Sequence, residues 1–259
     1  MMIVVHHKFF MLSSNQRKLI LQLEKKKYRL ANKLFVAEGK KVVNELINSD
    51  WSFKNLFSTE ENFHPGSELL TSDEMKKISN FKTPSQALGI FFLPDSQEII
   101  SEPITIGVDS INDPGNLGTI IRICDWFGLS ELICSMNSVD CFNAKVIQAS
   151  MGSISRVKCH YVDDLGTTLS SMQKPIYGAT LSGDSIYSTQ LPNKASYVFG
   201  SESHGISKPL LSQLDGELSI PQFREGDNKA ESLNVANASA IFLSELFRDS
   251  KKKTIRLLA

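Results

Sequence analysis

From Ile104 to the carboxyl terminus, the sequence alternates short apolar runs with segments of helical pattern. Strands are predicted at five of these runs, with the sequences ITIGVDS, ELICS, PIYGAT, YVFGSE and GELSIP. Alternation at this spacing is typical of a mostly parallel sheet with helices on both faces. Since open α/β sheets bind ligands at the carboxyl ends of their strands, polar residues just after these runs are candidates for a site.

The preceding part of the chain has the pattern of a smaller α/β domain. Ser14 is expected to cap a helix, LFVAEG and QALGIFFL to form strands, Gly39 to open a helix, and Thr71 and Glu74 to form a capping box. We predict a domain over residues 1–94, a linker over 95–103 and a second domain over 104–259. Met11 offers an alternative start, so residues 1–10 are interpreted as a disordered or misannotated start.

The charge of the chain is zero overall but is unevenly distributed. Between Ser13 and Lys41 there are nine basic residues and two acidic ones. A local excess of this size can bind phosphates even on a neutral chain, although a solvated helix face remains the alternative. The candidate nucleic-acid-binding residues in this segment are Arg17, Lys18, Lys25, Lys26, Lys27 and Arg29.

Composition excludes several other classes of protein. No apolar run has the length of a membrane-spanning helix, so we expect no membrane association. The four cysteines form no CxxC pair and no histidine cluster accompanies them, so neither a metal site nor a disulfide framework is expected. These features predict a reduced, cytoplasmic protein.

Three glycine-bearing segments follow predicted strands, and common motifs account for none of them. DSINDPGNLGTIIR contains neither GxGxxG nor a P-loop sequence. SESHG places Ser203 like a hydrolase nucleophile, but no histidine follows His204 to act as its base. In the third segment Ser232 and Asn234 precede a helix rich in small residues, which taken alone is best explained as an N-capped core helix.

Taken together, the three segments resemble the three signature motifs of the SpoU/TrmH family of SPOUT methyltransferases. The first motif is matched by Asn116, Gly118 and Arg122, and the second by Gly200, Glu202 and Gly205. The third is matched by Ile220-Pro221 and the run from Ser232 to Val235. The stretch SMGSISRV, with Arg156, is also similar to the family. The segment over residues 222–231 is longer than is usual there.

This resemblance implies an enzyme that transfers a methyl group from S-adenosyl-L-methionine to a ribose 2′-hydroxyl in structured RNA. We expect rRNA rather than tRNA. It also implies a trefoil-knotted sheet in residues 104–259, a homodimer through that domain, and an amino-terminal domain that binds the substrate. General topology rules disfavour knots, so the knot comes from the resemblance alone.

The resemblance also assigns residues to roles. The implied catalytic residues are Arg122, Asn116, Glu202, Ser232 and Asn234. The implied cofactor contacts are Thr180, Gly200, Ile220, Leu233 and Asn234, and Arg156 is added to the candidate RNA-binding residues. Whether Arg122 acts as a base or stabilises developing charge stays open, as do two other functions: RNA binding without catalysis, and methylation of a base.

Overall fold

A computed structural model describes residues 10–95, 97–224 and 230–248. Its α-helices are α1 Ser14–Gln22, α2 Lys26–Asn32, α3 Lys40–Asn48, α4 Ser72–Lys76, α5 Pro114–Trp126, α6 Ala144–Ser150, α7 Leu165–Ser171, α8 Lys208–Leu211 and α9 Val235–Leu246. Its strands are β1 Leu34–Glu38, β2 Phe53–Ser58, β3 Ser67–Leu69, β4 Ala87–Phe92, β5 Ile104–Asp109, β6 Glu131–Ser135, β7 Lys158–Val162, β8 Ile176–Ser185, β9 Ala195–Gly200 and β10 Gly216–Ser219.

The five strands predicted in the second half of the chain are confirmed as β5, β6, β8, β9 and β10. Three strands were not predicted: β2, β3 and β7. The sequence of β7, KCHYV, gives a weak signal because this strand lies at the edge of its sheet and is only partly buried.

Two predictions near the amino terminus were wrong in detail. The first helix is capped by Ser13, whose hydroxyl accepts from the Gln16 N–H, and Ser14 is already helical. Phe10 was assigned to a disordered or misannotated start, but its N–H donates to the Leu69 carbonyl at 2.7 Å. The rest of that predicted start, residues 1–9, lies outside the described residues.

The chain forms two compact units. The first contains the residues up to Gln97 together with Asp140–Ser155, and the second contains Glu98–Val139 and the residues from Arg156 onward. Helix α6 therefore belongs to the first unit, although the sequence pattern placed it with the second. The predicted domains over residues 1–94 and 104–259, and their separate functions, stay predictions.

In the first unit, helices pack against a four-stranded sheet of order β1-β4-β2-β3. The pairs β1–β4 and β4–β2 are antiparallel, and β2–β3 is parallel. Every residue of β1 is buried, including Glu38. The Glu38 carboxylate accepts from the Ser79 hydroxyl and from the Asn80 and Ser85 N–H groups, which offsets the cost of burying a charge.

Arg29 is a structural residue of this unit, and its predicted role in RNA binding was wrong. Its side chain is only 3% exposed. Nη1 donates to the carbonyls of Leu23 and Glu24 at 2.9 and 2.6 Å, while Nε and Nη2 donate to Asp140 at 3.0 and 2.5 Å. The guanidinium thus holds the α1–α2 turn to the segment that carries α6, and it is almost entirely buried.

The second unit is built on a six-stranded sheet of order β10-β8-β9-β5-β6-β7. All five neighbouring pairs are parallel, as the sequence predicted. One part of its core is formed by Ile133, Leu165, Leu169, Ile176, Val198, Ile206 and Leu210. Because the strands are parallel, their carboxyl ends lie along one edge of the sheet.

Strand β10 pairs with β8 in two different registers. Glu217 lies opposite Gly178, but the next residue, Leu218, lies opposite Asp184. An added Cβ at Gly183 would collide with the backbone at Glu217 and Leu218, so a glycine is needed where the register shifts. No helix among the described residues has both the length and the apolar character required to cross a membrane.

A buried lysine gives the second unit a testable dependence on pH. The Lys174 ammonium donates to the Glu102 carbonyl and to the Thr105 hydroxyl, both at 2.5 Å. Burial lowers the pKa of Lys174 to about 8, although the nearby Glu102 carboxylate opposes the shift. In the unfolded chain Lys174 has its ordinary pKa near 10.5. Above pH 8 the unfolded chain therefore binds more protons than the folded protein, so the free energy of unfolding rises with pH.

We predict that the unfolding free energy of the wild type rises relative to that of Lys174→Met between about pH 7.5 and 9.5. Burial raises the pKa of Cys124 to about 12, but this thiol is common to both proteins and cancels in the difference. Denaturant titrations at several pH values measure the effect, and Lys208→Met controls for replacing an exposed lysine. A difference that does not change with pH would contradict the prediction.

Candidate active site

The site lies where β5 and β9 end. These strands pair in parallel, with Asp109 opposite Gly200. The segment after β5 leads into α5, the segment after β9 forms a tight loop, and the segment after β10 leads into α9. The three glycine-bearing segments of the sequence therefore all start from the carboxyl edge of the sheet.

The first segment is held by the cap of α5. The Asp113 side chain accepts from the Asn116 N–H at 2.8 Å, and Pro114 occupies the first turn, where its missing N–H costs nothing. Asn116 is half-buried in this turn. Arg122 lies further along α5 with an exposed side chain, and it makes no hydrogen bond or ion pair with the described residues.

The second segment is a loop closed on itself. The N–H groups of Ser201 and Gly205 each donate to the other residue's carbonyl, at 3.0 and 2.8 Å. Gly205 has a φ of 66°, which favours glycine, and a Cβ at Gly200 would collide with the backbone of Gly205 and Ile206. These two glycines allow the narrow turn that presents Glu202 near its tip.

Asn234 joins the three segments. Its Oδ1 accepts from the N–H groups of Ala236 and Asn237 at 3.1 and 3.2 Å, so it is the N-cap of α9. Its Nδ2 donates to Asn116 Oδ1 at 2.8 Å and to Glu202 Oε1 at 2.5 Å. Because the helix cap requires the oxygen to face the N–H groups, the amide nitrogen must face Glu202 and Asn116.

Of the five implied catalytic residues, the structure brings three into direct contact: Asn116, Glu202 and Asn234. Arg122 is joined to them only through α5, which also carries Asn116. Ser232 is exposed, and no contact links it to the other four among the described residues. Asn234 therefore both caps α9 and connects the site. The interpretation of this segment as an N-capped core helix was correct but incomplete.

Sequence reasoning missed Asp109, the last residue of β5. It is buried, and its carboxylate accepts from the Ser207 N–H at 2.8 Å and the Ser110 hydroxyl at 3.1 Å. It thereby ties the end of β5 to the loop that carries Glu202. An aspartate ending the otherwise apolar run ITIGVD was the available signal.

The implied cofactor contacts are distributed along the same edge of the sheet. Thr180 is in β8, and its hydroxyl is buried without a hydrogen-bond partner in the described part of the chain. Gly200 ends β9, and Ile220 follows β10 and is half-buried. Leu233 is 48% exposed and directly precedes Asn234. Half of the extended loop at 222–231, residues 225–229, lies outside the described residues.

The site combines a carboxylate, two carboxamides and a nearby guanidinium, and this set suits hydrogen bonding and charge stabilisation. The imidazole of His204 bonds the Ser203 hydroxyl at 2.7 Å, but neither side chain bonds to the connected trio. Among the described residues, no group of three or more His, Cys, Asp or Glu side chains could hold a metal ion.

Arg156 forms a bidentate ion pair that steadies α5. Its Nε and Nη2 donate to the Asp125 carboxylate at 2.9 to 3.0 Å. Asp125 lies in the last turn of the helix that carries Arg122. The guanidinium is still 45% exposed, and its predicted contact with RNA stays a prediction.

The double role of Asn234 can be separated by substitution. Asn234→Ala removes the cap and should lower the unfolding free energy by about 1 kcal/mol, the usual cost of losing an N-cap. Asn234→Ser keeps a capping oxygen but loses the amide that joins Asn116 to Glu202, so it should be nearly as stable as the wild type. Denaturant unfolding measures both.

Asp164→Ala is the matched control, because Asp164 caps α7 in the same unit and touches no residue of the site. It should cost about as much as Asn234→Ala. If Asn234→Ser were as destabilised as Asn234→Ala, the bridge rather than the cap would carry the stability.

Comparison with known proteins agrees with this geometry. The model of the SpoU rRNA Methylase family matches residues 103–244, and the model of the MRM3-like substrate binding domain matches residues 15–89. The chain is 28% identical over 240 residues to the 23S rRNA (guanosine(2553)-2′-O)-methyltransferase RlmP of Bacillus subtilis. The aligned region covers 87% of this chain and 93% of RlmP.

Solved structures agree as well. A protein described as an RNA methyltransferase of the TrmH family from Porphyromonas gingivalis superposes with a TM-score of 0.81 at 37% identity, over 92% of this chain and 99% of the other. An AdoMet-bound rRNA methyltransferase from Sinorhizobium meliloti gives a TM-score of 0.78 at 26% identity, over 92% and 96% of the two chains. With a family model covering more than half of its length, the chain belongs to the SpoU rRNA methylase family.

Proposed function

We propose that this protein methylates a ribose 2′-hydroxyl of ribosomal RNA, with S-adenosylmethionine as the methyl donor. The observation that carries the proposal is the connected trio Asn116, Glu202 and Asn234, held beside the helix of Arg122 in a SpoU-family chain. The relative RlmP is named as a 23S rRNA 2′-O-methyltransferase, which supports large-subunit rRNA as the substrate.

The carboxyl edge of the sheet suits the methyl donor. The buried Thr180 hydroxyl lacks a partner in the described residues, so a polar ligand group there would satisfy it. The crowded backbone at Gly200 leaves main-chain groups, rather than a side chain, to meet a ligand. We assign cofactor contacts to Thr180, Gly200, Ile220, Leu233 and Asn234. When bound, S-adenosylmethionine supplies an electrophilic methyl group on a sulfonium.

The residues of this chain have to make a ribose hydroxyl nucleophilic and hold it in line. A hydroxyl becomes a strong nucleophile as it loses its proton, and negative charge then develops on its oxygen. A guanidinium offers a positive charge and several donors but accepts protons poorly. We therefore assign Arg122 to stabilising the developing alkoxide or the adjacent phosphate, and not to acting as a base.

The other site residues position the reacting groups. Both N–H groups of the Asn234 amide are used inside the site, one toward Asn116 and one toward Glu202. Asn116 lies in the first turn of α5, six residues before Arg122, so this network fixes the start of the helix that carries the guanidinium. Small displacements of reacting groups are costly, which is why a fixed network benefits the reaction. Ser232, just before Asn234, is assigned to an RNA contact.

The reaction can be tested with Arg122→Ala and ribosomal RNA from cells that lack this protein. Methyl transfer should fall by at least about two orders of magnitude, the scale for losing a key electrostatic group, while binding of the methyl donor is retained. Lys208→Ala removes an exposed cation on α8 and should have little effect. Transfer of radioactive methyl groups measures the rate.

The product identifies the acceptor atom. A methylated 2′-oxygen cannot attack the neighbouring phosphate, so the modified nucleotide should resist alkaline cleavage. A product that is cleaved there and carries its methyl on a base would overturn the ribose assignment. An Arg122→Ala protein as fast as the wild type would remove Arg122 from the catalytic step.

We further propose a homodimer formed through the second unit. Gly115, Thr119, Arg122 and Trp126 are spaced to share one face of α5, and all four are exposed. Trp126 is 84% exposed, and tryptophan is enriched among the residues that contribute most to binding at protein–protein interfaces. A second copy on this face would lie over Arg122 and complete the surroundings of the site.

If the dimer forms through this face of α5, a charge placed on the face should weaken it. The wild type should have the mass of a dimer by light scattering at micromolar concentration, and Trp126→Glu should shift it toward a monomer, because burying an unpaired carboxylate is costly. Trp126→Phe keeps an apolar ring and should remain dimeric. A monomeric wild type, or a fully dimeric Trp126→Glu, would contradict this interface.

Three finer expectations remain part of the proposal. The trefoil knot is supported by the family model that matches residues 103–244. A cytoplasmic location is supported by the four free cysteines. A substrate-binding role for the first unit is supported by the family model that matches residues 15–89.

A further inference from the structure

An open groove of about 550 Å³ lies along α1 and the start of α2 in the first unit. Five of its lining residues come from α1, namely Ser14, Arg17, Lys18, Leu21 and Gln22. Lys25 in the connection and Tyr28 on α2 complete its wall. Its size is within the range of pockets that accept small organic ligands, and no residue of the SpoU motifs contributes to it.

The charge of this groove is entirely positive. Arg17, Lys18 and Lys25 are exposed, and none forms an ion pair with another residue in the described part of the chain. Among the residues that the structure describes, no acidic side chain lines the groove. Cations that no carboxylate neutralises are free to take phosphate groups, so the groove favours a polyanion.

The same groove also offers apolar surface. Leu21 is 38% exposed, and Tyr28 contributes an aromatic ring that is only partly buried. The Lys27 ammonium lies over that ring, 4.9 Å from its centroid, which places a further cation on one of its two faces. Basic side chains interleaved with an aromatic ring are the combination with which proteins hold unpaired nucleotides: cations contact the backbone and the ring stacks on a base.

Arg29 makes this surface rigid. Its Nη1 donates to the carbonyls of Leu23 and Glu24, the two residues before Lys25, and its own backbone follows Tyr28 directly. The groove wall is therefore fixed before any ligand arrives, and a preformed site loses less entropy on binding.

We propose that the α1–α2 groove binds an unpaired segment of the RNA substrate, with Arg17, Lys18 and Lys25 on its phosphates and a base against Tyr28 and Leu21. This inference rests on the proposed RNA substrate and adds that the first unit selects a single-stranded element, such as a loop or bulge. A duplex keeps its bases stacked inside, so it would use the cations but leave Tyr28 and Leu21 without a contact.

The test uses the full-length protein without methyl donor, a short single-stranded RNA containing 2-aminopurine, and a duplex of the same sequence. The single strand should bind more tightly and its 2-aminopurine fluorescence should be quenched. Tyr28→Leu should weaken single-strand binding about tenfold or more and abolish the quenching, whereas Tyr28→Phe should keep both. Fluorescence anisotropy measures the affinities.

The contribution of the groove cations is measured by the salt dependence of RNA binding. Lys18→Gln should lower the slope of log affinity against log salt by about 0.7, the value for one phosphate contact on a single strand. Lys76→Gln removes an exposed lysine on α4, outside the groove, and should leave the slope unchanged. Tyr28→Leu should also leave the slope unchanged, since it removes no charge.

Several outcomes would overturn the proposal. Equal binding of duplex and single strand with no effect of Tyr28→Leu would identify a general phosphate patch. Displacement of RNA by polyglutamate at the same charge concentration would identify a site for an acidic protein. If wild type bound unpaired RNA but transferred no methyl group, the proposed function alone would fail. If the protein methylated rRNA and Tyr28→Leu and Lys18→Gln behaved as wild type, the groove alone would fail.

Discussion

The parallel pairing of β5 with β9 is the constraint on which the site depends. It sets Asp109 opposite Gly200, so that the two segments leaving these strands start side by side. The buried Asp109 carboxylate then holds the loop after β9 through the Ser207 N–H. Without this register, Glu202 and Asn116 would leave the sheet at different heights, and a single carboxamide could not reach both.

Asn234 shows how one side chain can cap a helix and also join the loops of the proposed site. A helix needs an acceptor for its first N–H groups, and asparagine supplies it with the amide oxygen. The cap leaves the amide nitrogen free, with two donors, and the structure directs both into the site. Serine or aspartate would cap α9 equally well but would offer no such pair of donors. The identity of this residue is therefore explained by the site and not by the helix.

In this neutral chain, the local structure decides which basic residues are held in ion pairs and which remain exposed. In one short basic segment, Arg29 is buried and neutralised by Asp140, while Arg17, Lys18 and Lys25 remain exposed along a groove. The buried pair fixes the turn, and the exposed cations remain available for a ligand. In the second unit Arg156 is paired with Asp125, whereas Arg122 on the same helix as Asp125 is unpaired among the described residues. Residues of one type thus have structural or functional roles according to their partners.

The sequence by itself determined the parallel α/β character, five strands of the larger sheet, and the three segments that form the site, because local periodicity and the spacing of glycines depend on nearby residues. It also placed Asn116, Arg122, Glu202 and Asn234 in one family pattern. Only the tertiary structure decided that α6 joins the first unit, that Arg29 is buried against Asp140, and that Asp109 links two loops. These outcomes depend on contacts between residues far apart in the chain, which no local pattern encodes.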